Sequence, residues 1–152
     1  MKTTDDILLK PAMLFAVMKN LPLILLAVTF VPLSCSLSPY FILFGIAASA
    51  AAWYRLLYIR SYQYLITAEF IRITHGIFFK RVDQLEMFRI KDYIITQSFL
   101  LQLFRLMVLT LKSTDPENKI ILLMGIPESD ITDIIRDRVQ TARHNNNIYE
   151  IN

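Results

Sequence analysis

The sequence predicts an α+β chain: an N-terminal transmembrane helical hairpin, then a small antiparallel β domain covered by a C-terminal helix. Three observations predict it. Leu21 to Tyr54 runs without a single Asp, Glu, Lys, Arg or His. After Arg60 the pattern changes to short stretches rich in aromatic and β-branched residues. Past Pro127, apolar residues recur at helical spacing beside a charged face.

One bilayer crossing takes roughly 20 apolar residues, so the charge-free stretch suits two. Ser34-Cys35-Ser36-Leu37-Ser38-Pro39, small and polar and ending in a helix-stopping proline, divides it into a span over 21–37 and a return over 40–59. Residues 1–9 are expected to be mobile. Residues 11–20 read as a short helix lying in the interface, because extending the span would draw Lys19 into hydrocarbon at ~2.5–3.5 kcal/mol. The expected units are therefore 1–20, 21–59, a domain over 60–144, and a polar tail over 145–152.

Short loops that carry Lys and Arg stay cytoplasmic. Lys10 and Lys19 precede the first span, Arg55 and Arg60 flank the end of the second, and the tip carries no charge. The expected protein is thus an integral inner-membrane protein of a bacterium, with both termini cytoplasmic. Trp53, Tyr54 and Tyr58 match an aromatic belt at that depth. A cleaved signal peptide with Cys35 as a lipoprotein acceptor is the rival reading, but Pro32-Leu33-Ser34 fits its cleavage pattern poorly. Gly45, Ala48, Ser49 and Ala52 form a candidate helix-packing face, for the first span or for a second copy.

In the domain, 62–67 and 70–75 read as strands, with 77–80 and 81–87 continuing extended after Gly76. Residues 92–97 make a further strand. Residues 98–106 are ambiguous, since Ser98 is placed to cap a short helical turn. Met107, Leu109 and Leu111 alternate with Val108, Thr110 and Lys112, a half-buried strand. Asp115-Pro116-Glu117-Asn118 turns it into a return over 119–124. Pro127 is expected at the start of the last helix, whose stripe is Ile131, Ile134, Ile135, Val139 and Ala142.

The net charge of +3 is uneven. The excess of Lys and Arg falls in 55–112, next to the membrane, while 113–152 is acidic. Arg60, Arg72, Lys80, Arg81, Arg89 and Lys91 are candidate contacts to an anionic leaflet, although Lys80 and Arg81 point to opposite sides of any regular strand. No dense basic run suggests nucleic acid. Catalysis finds little support: the two histidines, His75 and His144, sit in a strand end and a polar tail. No Cys/His cluster, phosphate loop or nucleophile elbow is present, and no cofactor, metal or small-molecule substrate is expected. Asp130, Asp133 and Asp137 share a helix side, as a solvated face does. With one cysteine there is no internal disulfide.

Several short motifs occur in a fixed order: Tyr64-Leu65-Ile66-Thr67, Gly76-Ile77-Phe78-Phe79-Lys80-Arg81, Phe88-Arg89-Ile90-Lys91-Asp92, Gln97-Ser98-Phe99-Leu100 and Gly125-Ile126-Pro127. In these the chain resembles the bacterial pleckstrin-homology (PH) domain family in its membrane-anchored form, where a two-helix hairpin precedes the domain. Glu86 stands where the family commonly has proline, and Arg105 and Met107 stand where it is rich in glycine. The resemblance implies a PH-like, partly open antiparallel β-barrel of seven strands capped by the C-terminal helix. It implies no ligand: the first hairpin loop, Thr67-Ala68-Glu69, is short and acidic, so the phosphoinositide binding of eukaryotic relatives is not carried over. The expected function is a non-enzymatic, membrane-tethered interaction module that binds a protein partner or assembles with itself. The alternative is an accessory subunit of a membrane transport or export complex with the hairpin as its interface.

Overall fold

The computed structural model describes residues 6–145. Two long helices, α1 (Met13–Ser36) and α2 (Phe41–Arg60), form an antiparallel hairpin. At 1.5 Å per residue they are about 36 and 30 Å long, enough to cross a bilayer. Among the half-buried and buried positions, Ala16, Asn20, Leu23, Ala27, Phe30 and Ser34 form one line along α1, and Phe41, Gly45, Ala48, Ala52, Leu56 and Ile59 form one along α2. These recur three and four residues apart, the spacing of two helices that pack along one seam. Residues such as Leu25, Val28, Val31, Leu43 and Ile46 point outward and are exposed. A helix apolar on every side needs an apolar surrounding, not one core face.

The domain holds seven strands: β1 (Ile7–Leu9), β2 (Gln63–Ile66), β3 (Phe70–His75), β4 (Arg81–Glu86), β5 (Ile90–Thr96), β6 (Leu106–Ser113) and β7 (Ile120–Pro127). They form two antiparallel sheets, ordered β1-β2-β3-β4 and β5-β6-β7, which do not close into a barrel. Inward residues of both sheets, including Tyr64, Ile71, Leu85, Leu109 and Leu123, share one core with Ile131, Ile135 and Ala142 of the last helix, α4 (Ile131–Asn145). Arg138 and Arg143 of α4 donate to the carbonyls of Ile66 and Ile90 at 3.0 and 2.7 Å, tying the helix to both sheets. A short helix, α3 (Phe99–Leu103), joins β5 to β6, and a 3-10 turn at Met87–Arg89 joins β4 to β5.

Several expectations need correction. Residues 7–9 are not mobile: Ile7, Leu8 and Leu9 pair with Ile66, Leu65 and Tyr64. The hairpin is therefore spliced between two neighbouring strands of one sheet, and the unit drawn over 60–144 lacks its first strand. No separate interfacial helix covers 11–20, because α1 runs unbroken from Met13 and buries Phe15 and Ala16. Pro22 and Pro32 lie inside it, as prolines can in apolar spans where neighbouring helices satisfy the freed groups. Residues 77–80 form a loop, not a strand. Pro127 ends β7, where it pairs with Leu106, and α4 begins only at Ile131. Ile134 is 37% exposed, so the buried stripe of α4 is Ile131, Ile135 and Ala142. The expected polar tail lies outside the described residues apart from Asn145, the last residue of α4.

Candidate membrane-facing site

The functional residues worth locating are those at the root of the hairpin, where α1 leaves the domain and α2 returns. Ala12 donates its N–H to the Gly125 carbonyl at 2.9 Å, setting the start of α1 against β7. Gly125 has φ +63, and a Cβ there would overlap the Phe15 ring. Only glycine fits both demands. Phe15 and Ala16 then join Ile59 of α2, Leu101 of α3 and Leu106 of β6 in a second core cluster. On the other side of the root, Tyr62 stacks on His75 with centroids 4.8 Å apart, and Tyr58 meets Tyr62 edge-on at 5.7 Å. Ser61 donates its hydroxyl to the Tyr58 carbonyl and accepts the Gly76 N–H at 3.0 Å. Burial, then the contact with Tyr58, raises the Tyr62 phenol well above its ordinary value.

These contacts define two ends of the domain. The starts of β2 and β6 and the end of β3 lie at the root. The β6–β7 turn lies about 23 Å away along β6, where Thr114 donates to the Arg89 carbonyl and Met87 to that of Glu69. The six candidate cations split between these ends. Arg60, Lys80 and Arg81 belong to the root; Arg89 and Lys91 stand at the far end; Arg72 lies between them on β3. Three of the six are engaged by neighbours. Arg81 pairs with Asp83 at 2.9 Å, which raises its pKa; Arg89 pairs with Glu86 at 2.7 Å; Arg72 bonds Gln84 at 3.1 Å and lies over the Phe70 ring. No single surface unites the six. The root does gather other cations that the strand pattern left out: Lys10 follows β1, Lys19 lies over the Phe15 ring, and Arg105 precedes β6 with φ 50. Arg105 takes a left-handed conformation, which a residue other than glycine adopts uncommonly.

On the helix-packing face, Gly45, Ala48 and Ala52 lie along the α1 seam, with a Gly45 Cβ position 3.4 Å from Phe30. Ser49 is exposed, donates to the Gly45 carbonyl at 2.9 Å, and lines an apolar groove of about 550 Å³ with Ala27, Val31, Ile46 and Trp53. Asn20 is wholly buried at the root. Its side-chain amide N–H donates to the Ala16 carbonyl at 3.0 Å, and its side-chain carbonyl oxygen has no hydrogen-bond partner among the described residues. Among the described residues no group of three or more His, Cys, Asp or Glu side chains is placed to hold a metal. His75 stacks on the Tyr62 ring and His144 lies in the last turn of α4.

The sequence profile of the bacterial PH domain matches residues 13–143, from the first residue of α1 into the last turn of α4. The chain belongs to the bacterial PH domain family. No curated protein and no solved structure matches it. For this PH protein the match takes in the hairpin, both sheets and α4 together. Family membership makes the chain an interaction module of a generally non-catalytic kind, directed at protein or lipid. Missed by the sequence reading were Phe15, β1 and the role of Gly125 beneath the Phe15 ring. The Phe15–Gly125 contact joins residues far apart in the chain and shows in no local pattern.

Proposed function

We propose that this protein is a non-enzymatic PH-like module which the α1–α2 hairpin holds in the inner membrane of a bacterium. The sheets lie on the cytoplasmic side and bind a protein partner or further copies of the chain. The observation that carries this reading is the splice: the chain leaves one sheet after β1, runs through two apolar helices, and re-enters the same sheet at β2. An apolar hairpin so placed holds the domain close against whatever surrounds the helices. Lys10, Lys19, Arg55 and Arg60 at the root and a charge-free tip favour a cytoplasmic root. Cations at the root, Arg60 and Lys80 with Lys19 and Arg105, then face an anionic leaflet and are attracted to it, while Arg81 is already paired with Asp83.

A second reading is favoured by the groove beside Ser49. An exposed apolar groove with small residues lets another transmembrane helix approach closely, as an accessory subunit of a transport or export complex would require. Photo-crosslinkers at Val82, on the exposed edge strand β4, and at Ser49, followed by affinity purification in mild detergent, separate the two. Capture at Val82 supports the domain as the working surface. Capture at Ser49 alone, of another integral membrane protein, favours the accessory subunit. A monomer crosslinked at neither site in native membranes would sink both readings.

A further inference from the structure

The connection between β5 and β6 is built as a second apolar foot beside the hairpin. Within α3 and just after it, Phe99 is 78% exposed and Leu103 65% exposed, with Leu100 and Phe104 also open. A soluble domain seldom spends four large apolar side chains on one short connection. Leu101 alone turns inward, into the cluster with Phe15, Ala16 and Ile59. That contact sets the height of α3. It lies level with the first turn of α1 and the last turn of α2, on the domain side of Lys19 and Arg55 and between one and two helical turns from the stretch that carries no charge. Between α3, the β6–β7 face and α1 runs a groove of about 500 Å³ whose lining includes Met18, Lys19, Leu100 and Val108.

We infer that α3 is an interfacial membrane anchor, with Phe99, Leu100, Leu103 and Phe104 sunk among the lipid headgroups and upper acyl chains next to the hairpin. Two features of the site favour lipid over a protein. α3 is packed onto the root of the hairpin through the buried cluster of Leu101 with Phe15, Ala16 and Ile59, so its exposed apolar side chains stand beside the apolar helices and within reach of the medium that covers them. The flanking charge also has the sign an anionic leaflet selects: from Tyr93 to Leu111 the chain carries Arg105 and no acidic residue, and Lys19 lines the groove. With the hairpin as one attachment and α3 as another, the domain cannot swivel freely about the root. Its far end, with Arg89 and Lys91, is then presented away from the bilayer.

The inference rests on α1 and α2 being membrane spans, and tryptophan quenching in the reconstituted full chain tests the two separately. Trp53 is the one tryptophan and is exposed on α2, so it reports the hairpin itself. In a Trp53→Phe background, Phe99→Trp reports α3 and Ile120→Trp reports the far end. All are placed in phosphatidylcholine–phosphatidylglycerol vesicles at high lipid-to-protein ratio, with lipid brominated either near the glycerol or near the chain ends. Phe99→Trp should lose about half its emission or more to the shallow bromines, less to the deep ones, and keep that loss at high salt. Ile120→Trp should lose little to either. If Trp53 is quenched and Phe99→Trp is not, α3 is left for a protein or a second copy and the inference is wrong. Equal quenching at Phe99→Trp and Ile120→Trp would also overturn it, because the whole domain would then be lying on the surface. If Trp53 itself escapes quenching, the spans fall and the anchor falls with them.

Discussion

Single residues decide more here than their polarity suggests. Ile134 and Ile135 are adjacent, identical in composition and both within the helical stripe read from the sequence. Only Ile135 faces the sheets. Truncating Ile135 to Ala should cost ~2–5 kcal/mol, while Ile134→Ala should cost well under that, since its side chain already meets solvent. Thermal unfolding of the two variants in the same detergent checks it, and equal losses would mean that the face is turned. Tyr64 makes a different demand. Its wholly buried hydroxyl accepts the Met124 N–H at 3.0 Å, and burial pushes the phenol up to about 12. The folded state thus holds Tyr64 neutral at a pH where the unfolded chain would ionise it. Stability from this group is complete below pH ~10 and declines as pH rises toward 12. Tyr62 is shifted in the same direction and steepens the decline. Unfolding midpoints measured from pH 8 to about 12 should stay flat and then drop; a midpoint that begins to fall below pH ~9 would place the titrating group elsewhere.

Elements were legible in the sequence to the degree that their causes were local. The hairpin, the β6–β7 pair and α4 each carry a pattern within one window: a charge-free run, an alternation, a helical stripe. β1 carries none. It is three residues long, and what makes it a strand is an edge of β2 that lies beyond both long helices in the chain. Pro127 misled for the same reason. A proline before an amphipathic stretch reads as a helix start, but its partner Leu106 holds it in β7 and delays α4 to Ile131. The seat of α1 is likewise non-local, and it can be tested. Gly125→Ala should cost about 1–2 kcal/mol from the left-handed backbone alone, and more from the overlap with the Phe15 ring. Removing the ring removes only the second part. Gly125→Ala combined with Phe15→Ala should therefore be less destabilised than the sum of the single variants, by ~0.5–3 kcal/mol. Strict additivity in the melting data would mean that Phe15 does not sit on Gly125.

At the scale of the molecule, the splice of the hairpin into one sheet constrains topology in a way that charge counting alone does not. β1 is hydrogen-bonded to β2, so Asp6 and the domain must lie on the same side of any membrane the helices cross. Cys35, exposed near the end of α1, must lie at the other side. A cleaved leader ending before Cys35 would remove β1, Phe15 and all but the last two residues of α1. The first sheet would lose its edge strand and the root cluster its centre, so the mature protein should retain β1 and α1 ahead of Cys35, and its intact mass should show this. Loops rich in Lys and Arg stay inside, and the proposed topology therefore has the root in the cytoplasm and the tip outside. An impermeant thiol reagent applied to intact cells stripped of their outer membrane should therefore label Cys35. With Cys35→Ser and Asp6→Cys combined, labelling should appear only after the inner membrane is opened. Labelling of Asp6→Cys in sealed cells, with Cys35 protected, would mean an inverted hairpin and place the domain outside. Protection of both positions until permeabilisation would mean that the helices do not cross, and would leave the exposed apolar faces of α1 and α2 to be covered by protein.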